Sequence, residues 1–494
     1  MKKRLKSWQG WLLFVCAMIV IFLLGLLSSS INQRHAEVAS IYNNKKVDLK
    51  KQESRNELFN VNYPREYETW DATKESGFNT EYNGNDAKDV LAMRPNMVIL
   101  WAGYSFSKEY NTPRGHMHAL EDNRAILRTG APNVTLGKEP MPATCWTCKG
   151  PDVPRLMDSI GIAQFYGQKW SDLGSEIVNP VGCSDCHDTK TMDLRISRPA
   201  LVEAFARRGK DITKSSFQEM RSLVCAQCHV EYYFKGKGNY LTLPWDKGFT
   251  VEDIEKYYDE IDFADFTNKL SRARIIKAQH PGYETWKMGI HGQRGVSCAD
   301  CHMPYISEGG VKFSDHHVQS PLANINRTCQ TCHRESEETL REDVYKRQRK
   351  VDEARTSLES ELAKAHIEAK FAWDKGANEN QMAPALKLIR QSQWRWDFAV
   401  ASHGASFHAP QEIQRILSGG LERAVKARLS ISKVLAKLGY TDDVILPDIS
   451  SKAKAQKYIG LDMDQLNKDK AEFKKTVIPQ WLKKARENGR LAKN

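Results

Sequence analysis

Residues 145–149 read Cys-Trp-Thr-Cys-Lys, and the same thiol spacing returns four more times. The repeats are Cys-Ser-Asp-Cys-His at 183–187, Cys-Ala-Gln-Cys-His at 225–229, Cys-Ala-Asp-Cys-His at 298–302 and Cys-Gln-Thr-Cys-His at 329–333. The five pairs are Cys145/Cys148, Cys183/Cys186, Cys225/Cys228, Cys298/Cys301 and Cys329/Cys332, which leave only Cys16 of the eleven cysteines outside the pattern. Where histidine follows at once, at His187, His229, His302 and His333, the pattern is the attachment signature of c-type haem. Two thiols three residues apart form thioethers to the vinyl groups on one edge of a porphyrin, and the next residue is held under the iron. Zinc explains the pattern less well, because closed zinc sites take four ligands and five pairs leave one over. Disulfides across so short a loop would restrain almost no chain.

Lys149 is the exception. It marks either a decayed site, a haem whose ligand lies elsewhere, or an amine that binds iron once its proton is lost, a loss the metal's charge favours. One deviant haem among four uniform ones suggests a division of labour, with four carrying electrons and the fifth doing chemistry at an open coordination position. Four histidine-ligated haems need four more axial ligands. Ten histidines lie outside the motifs, among them His35, His280, His291 and His366. Spacing does not separate His316 from His317, His116 from His118 or His403 from His408.

Outward from the motifs, the chain changes texture twice. Residues 1–30 place Lys2, Lys3, Arg4 and Lys6, with no acid, before an apolar run from Trp11 to Leu27. This is an export signal, long for a cleaved peptide and short for a spanning helix, so it reads as a signal peptide or an N-terminal membrane anchor. Small Ser28 and Ser30 follow it. In both cases the remainder is delivered outside the cytoplasm. Residues 31–60 are polar and read as a tether. Residues 61–333, rich in Gly, Pro and aromatics, carry every Cys pair and only short periodic segments such as 251–278, so they are expected to be loops and short helices packed on haem. After His333, Leu340, Val344, Val351, Leu358 and Ala365 recur among dense charges, and helical stretches follow at 384–403, 411–438 and 464–488. Residues 334–494 are therefore expected as long amphipathic helices, with either a solvated outer face or a face that pairs with a second subunit.

Composition agrees with a globular chain. The 494 residues are 41% hydrophobic and 27% charged, and mean hydropathy is −0.57, which excludes disordered, collagen-like and polytopic membrane classes. The net charge of +12 favours anionic partners without naming one.

With these residues on the page, the chain resembles the pentahaem, ammonia-forming cytochrome c nitrite reductases. The resemblance rests on CWTCK at 145–149, the four following CxxCH motifs, CHVEYYF at 228–234, KAQHP at 277–281 and SHGASFHAP at 402–410, and runs from about residue 55 to TVIPQW at 476–481. It implies a mainly α multihaem cytochrome c, with a loop-rich core packed on five haem c groups and long C-terminal helices forming a homodimer. It makes Lys149 the proximal ligand of the active-site haem. It assigns His116 to the haem of His229, His291 to that of His333, His316 to that of His187 and His408 to that of His302. The substrate pocket is implied at Arg128, Tyr232 and His280, beside a calcium ion held by side-chain oxygens of Glu231 and Gln279 and carbonyls of Tyr232 and Lys277. The implied reaction is six-electron reduction of nitrite to ammonium, in the periplasm, fed by a membrane-associated quinol-oxidising cytochrome. No nucleic-acid partner is expected.

Each assignment also has a chemical reason. Nitrite bound through nitrogen needs charge or donors near its oxygens, which Arg128 and His280 supply in a water-poor site. Arg stays charged throughout, while an ordinary His titrates near neutrality and relays protons. Tyr232 offers a hydroxyl donor, and an all-oxygen set suits a hard cation. The rival functions are a multihaem electron carrier without catalysis, which has no use for a lysine-ligated haem, and an enzyme converting hydroxylamine or sulfur oxyanions.

Overall fold

Ser336 opens the longest helix of the C-terminal region by accepting the Thr339 N–H at 3.2 Å. Glu337 and Glu338 then sit in the first turn, where the helix dipole favours acids. The helix runs Glu337–Asp374 and stops where Gly376 takes φ 90°, letting the Ala377 N–H close back on Ala372 O. Its buried stripe includes Val344, Val351, Leu358, Leu362 and Ala365. The next helix, Glu379–Ala401, starts with a capping box of Asn378 and Gln381, and Pro410 occupies the first turn of Pro410–Lys437. The second and third helices pack along one another, and the first packs against the third. The approach is close at Gly420, where a Cβ would lie 2.7 Å from Leu358 Cδ2. Met463–Glu487 is the last long helix.

The computed structural model describes residues 7–43, 46–129, 141–308 and 310–491. It is predominantly helical, as the sequence leads one to expect, and its strands among the described residues form three two-stranded antiparallel hairpins. One hairpin pairs Tyr233–Lys235, which begins within the CHVEYYF segment, with Tyr240–Thr242. The long helices cover the back of the haem-motif region through aromatic residues. Trp101 meets Trp396 at 5.6 Å between ring centroids, and Tyr258 meets Trp394 at 5.7 Å. A second apolar core, with Ala369, Met382, Ile389, Ile431 and Leu435 among its residues, lies largely within the helices themselves.

Two segments differ from their sequence reading. The periodicity of 251–278 yields a helix only over Val251–Glu260; Asp262 then adopts φ 50°, and Phe266–Thr267 pairs with Arg274–Ile275 instead. The polar stretch 31–60 is not one tether. The helix Ser7–Asn43 continues past the apolar run, and its span Ser7–Glu37 is long and apolar enough to cross a membrane, with an unburied 18-residue window of mean hydropathy 2.8. The basic residues 2–6 lie outside the described residues. From residue 46 the chain is docked: Asn62 Oδ1 accepts the N–H groups of Lys46 and Val47, and Asn56 accepts the Cys183 N–H at 3.1 Å while donating to Pro180 O at 3.0 Å. Its polarity answers the backbone of neighbouring loops rather than solvent, because buried peptide groups need partners.

Candidate active site

Each Cys pair lies on or beside a single helical turn, which puts residues three apart on one face. Cys183–Cys186 and Cys298–His302 are short α-helices, the second capped by Ser297 and Asp300. Cys225 lies in the last turn of Phe217–Ala226, and Ala143–Trp146 and Cys329–Thr331 are 3-10 turns. Of the ten motif cysteines, all but Cys332 line one internal cavity of about 1420 Å³. No described cysteine is joined in a disulfide. Among the described residues, no group of three or more His, Cys, Asp or Glu is arranged to hold a bare metal ion.

The histidines face each other in pairs, and all of them but His333 line that cavity. Ring centroids lie 6.3 Å apart for His116 and His229, 6.2 Å for His187 and His316, 6.3 Å for His291 and His333, and 6.3 Å for His302 and His408. These are the pairs the resemblance implies. The spacing suits two imidazoles on opposite sides of one metal, since each metal–nitrogen bond takes about 2 Å and the rings fill the rest. Second partners orient several rings, leaving Nε2 for the metal. His187 Nδ1 donates to Met192 O at 2.7 Å, His302 to Gln319 O at 2.9 Å and His316 to Ser314 O at 2.8 Å. The residues present therefore fit c-type haem by thiol placement, ring spacing and ring orientation.

Lys149 lies on the same cavity as Arg128, Tyr232, Gln279 and His280. Burial pushes its ammonium below the ordinary lysine range, and the Arg128 charge adds to the effect, so the neutral amine that a metal requires is the favoured direction. The Arg128 guanidinium stands 5.1 Å from the ring centres of both Phe106 and Tyr110. Two aromatic faces thus hold it while its charge persists. Burial, with the Cys148 and Cys145 thiols adding to it, holds the Tyr232 hydroxyl well above the usual phenol range, so it remains a donor. His280 differs from the expectation of titration near neutrality. Burial pushes it down to about 4, and both its nitrogens have protein partners, Nδ1 with Ala401 O at 3.1 Å and Nε2 with His229 Nδ1 at 2.6 Å.

Beneath the pocket, Glu231 is fully buried. It accepts the Tyr258 hydroxyl at 2.9 Å and the Gln279 N–H at 2.6 Å. Gln279 Nε2 donates to Lys277 O at 2.8 Å, so the four residues expected around calcium are neighbours. Burial raises the Glu231 carboxyl well above the usual range, and the neighbouring Glu284 carboxylate raises it further. Glu284 itself is pushed up to about 7 by burial, and its Oε2 has no hydrogen-bond partner. Buried carboxylates with an orphaned oxygen suit a hard cation that takes carbonyl and carboxylate oxygens.

Three more neighbours complete the surroundings: His403, which spacing left as an alternative to His408, and Glu284 and Asp397, which the sequence reading did not single out. His403, whose ring lies 5.3 Å from that of His280, is pushed down to about 3 by burial. Glu284 accepts the Glu231 N–H at 2.9 Å and so holds the loop that carries Tyr232. Asp397, on the helix Glu379–Ala401, pairs with Lys277 Nζ at 3.2 Å and accepts Trp101 Nε1 at 3.2 Å. Lys277 Nζ in turn stands 5.1 Å from the Phe106 ring that supports Arg128. A lone acid within the aromatic run Trp394-Arg-Trp-Asp-Phe398 was the available signal for Asp397.

Comparison with known proteins places this arrangement. The cytochrome c-552 of Parabacteroides distasonis is 68% identical over 494 residues, covering 100% of both chains, and that of Porphyromonas gingivalis is 66% identical, covering 99% of this chain and 98% of the relative. Among solved structures, the catalytic subunit of cytochrome c nitrite reductase from Desulfovibrio desulfuricans, a protein described with two calcium sites, superposes with a TM-score of 0.75 at 30% identity, covering 85% of this chain and 91% of that one. Residues 55–491 match the cytochrome c552 family, and with relatives this similar over their whole length the chain belongs to that family.

Proposed function

We propose that the protein reduces nitrite to ammonium, taking up six electrons and eight protons per nitrite and releasing ammonium and two waters. The observation that carries this reading is the asymmetry of the five motifs. Four have a histidine facing a second histidine at 6.2 to 6.3 Å, while Cys145/Cys148 has Lys149 and shares its cavity with Arg128, Tyr232 and His280. The likeness to a solved cytochrome c nitrite reductase supports it. Five haem c groups are attached at Cys145/Cys148, Cys183/Cys186, Cys225/Cys228, Cys298/Cys301 and Cys329/Cys332. When bound, they would relay electrons from the donor and, at Lys149, would supply the iron at which nitrite is reduced.

The chain's own residues do the rest. Arg128 meets the anion's oxygens with its guanidinium, whose planar fork is held by Phe106 and Tyr110. Tyr232 donates its hydroxyl hydrogen. His280, neutral at working pH, lines the pocket with its ring held in place by Ala401 O and His229 Nδ1. Glu231 and Gln279, with the carbonyls of Tyr232 and Lys277, take a calcium ion that steadies the loops bearing Tyr232 and His280. The apolar helix exports residues from about 31 onward to the periplasm or tethers them at its membrane. There a membrane-associated quinol-oxidising cytochrome donates electrons, and the C-terminal helices pair two copies of the chain.

The test is ammonium formed per nitrite consumed by the purified haem-loaded protein with a reduced viologen donor. One ammonium per nitrite is expected. Nitrite consumption without ammonium, or no consumption by protein carrying all five haems, overturns the proposal.

A further inference from the structure

The ring nitrogens of the histidines that face the cavity are not partnered alike. His187, His302 and His316 each direct Nδ1 at a backbone carbonyl, of Met192, Gln319 and Ser314 respectively. His229 alone among the motif histidines directs Nδ1 at another imidazole, His280 Nε2, at 2.6 Å. The two rings lie 4.5 Å apart between centroids. A carbonyl oxygen only accepts, so the 3.1 Å contact of His280 Nδ1 with Ala401 O puts the hydrogen of neutral His280 on Nδ1. His280 Nε2 is then an acceptor, and His229 Nδ1 must donate to it. That leaves His229 Nε2 with its lone pair for a metal, on the side where His116 faces it at 6.3 Å.

We propose that His280 is a positioning residue for the haem held by Cys225, Cys228 and His229, and that by accepting the His229 Nδ1–H bond it lowers that haem's reduction potential. The inference rests on the haem attachment proposed above. An imidazole nitrogen is a stronger base than the amide oxygens that serve His187, His302 and His316. Drawing the proton away from His229 Nδ1 makes the ring a better electron donor to iron, which stabilises the oxidised state. The same side chain lines the cavity with Lys149, Arg128 and Tyr232. One imidazole therefore joins the pocket to the axial ligand of a second haem, through Ala401 O, His280 and His229 in series.

The experiment is a potentiometric titration of the haem-loaded full-length protein, followed by visible and electron paramagnetic resonance spectra, for wild type, His280→Leu and His280→Gln. The signal of the haem at Cys225/Cys228 is identified by its change in His116→Met, which alters the opposite axial ligand. In His280→Leu that one midpoint is expected to move to a more positive potential while the other four stay. In His280→Gln, whose amide oxygen can accept, it is expected to return part of the way. Full haem content with an unmoved midpoint in His280→Leu overturns the inference, as does a parallel shift of all five. Nitrite turnover of the wild type is measured separately. Failure to form ammonium would count against the proposed activity while leaving the midpoint comparison readable, because the titration needs haem but no substrate.

Discussion

Along Glu337–Asp374, Val351, Leu358, Leu362 and Ala365 are buried against neighbouring helices; in residues 61–333 nine of the ten motif cysteines, with His187, His229 and His302, instead line a space of about 1420 Å³. The first region satisfies its apolar side chains with other side chains. The second turns its most chemically distinctive side chains toward one shared space, which would take the haem c of a cytochrome c family. The helices are thus built on side-chain packing alone, whereas residues 61–333 combine an apolar core that includes Val98, Trp101, Leu223 and Trp245 with a space lined by the Cys pairs.

The largest effect should come from producing the chain without haem attachment. Limited proteolysis followed by mass spectrometry is then expected to cut throughout 61–333, while the helical core around Met382, Ile389, Ile431 and Leu435 is digested last. Uniform digestion would break the comparison and make the two regions one cooperative unit.

The next effect concerns the seam between the regions. Lys277 and Asp397 are a pair with side chains 2% and 0% exposed. Lys277→Met leaves Asp397 buried without its partner and should cost about 3–5 kcal/mol in chemical denaturation. Lys277→Met combined with Asp397→Leu should recover most of that loss, because no uncompensated charge remains. If the double variant is no more stable than the single one, the pair does more than balance charge.

Within the haem region, function and stability should separate. Arg128→Ala is expected to lower nitrite turnover by about 10²–10³-fold, as for one preorganised donor, and Arg128→Lys by less, since the charge survives without the fork. Both should melt close to the wild type. A large fall in melting temperature for Arg128→Ala would mean that Phe106 and Tyr110 depend on the guanidinium for packing.

The smallest effect tests the helical region by pH. His366 is fully buried, with Nδ1 against Ser271 Oγ at 2.8 Å and Nε2 against Gln393 Oε1 at 2.7 Å, and burial pushes it down to about 4. Unfolded, it takes up a proton near pH 6.5. Its contribution is therefore fully present above pH 6.5 and is lost as pH falls toward 4, reaching about 2 kcal/mol at pH 5. His366→Gln should narrow the drop in melting temperature between pH 7 and pH 5. An identical drop would place the acid sensitivity elsewhere.

Features written in contiguous residues were legible from the sequence. The Cys-x-x-Cys turns needed only a pair of thiols and the next side chain, which one helical turn brings together whatever the rest of the chain does. The C-terminal helices were legible for a similar reason, since Leu340, Val344, Val351 and Leu358 repeat with the helix period. Periodicity was a poorer guide at 251–278, where left-handed Asp262 and Arg272 turn the chain into a hairpin, and polarity was a poorer guide at 46–60, where Asn56 serves the loop of Cys183. Tertiary structure decided which distant groups meet: His116 with His229, a pairing that only the family resemblance implied beforehand, His280 with the far side of His229, Glu284 with the backbone of Glu231, and Asp397 with Lys277. Residue type and spacing along the chain do not encode those meetings. They depend on how separate turns are carried into one space, where burial shifts a histidine such as His280 down to about 4 and makes its partners, rather than its intrinsic chemistry, determine what it does.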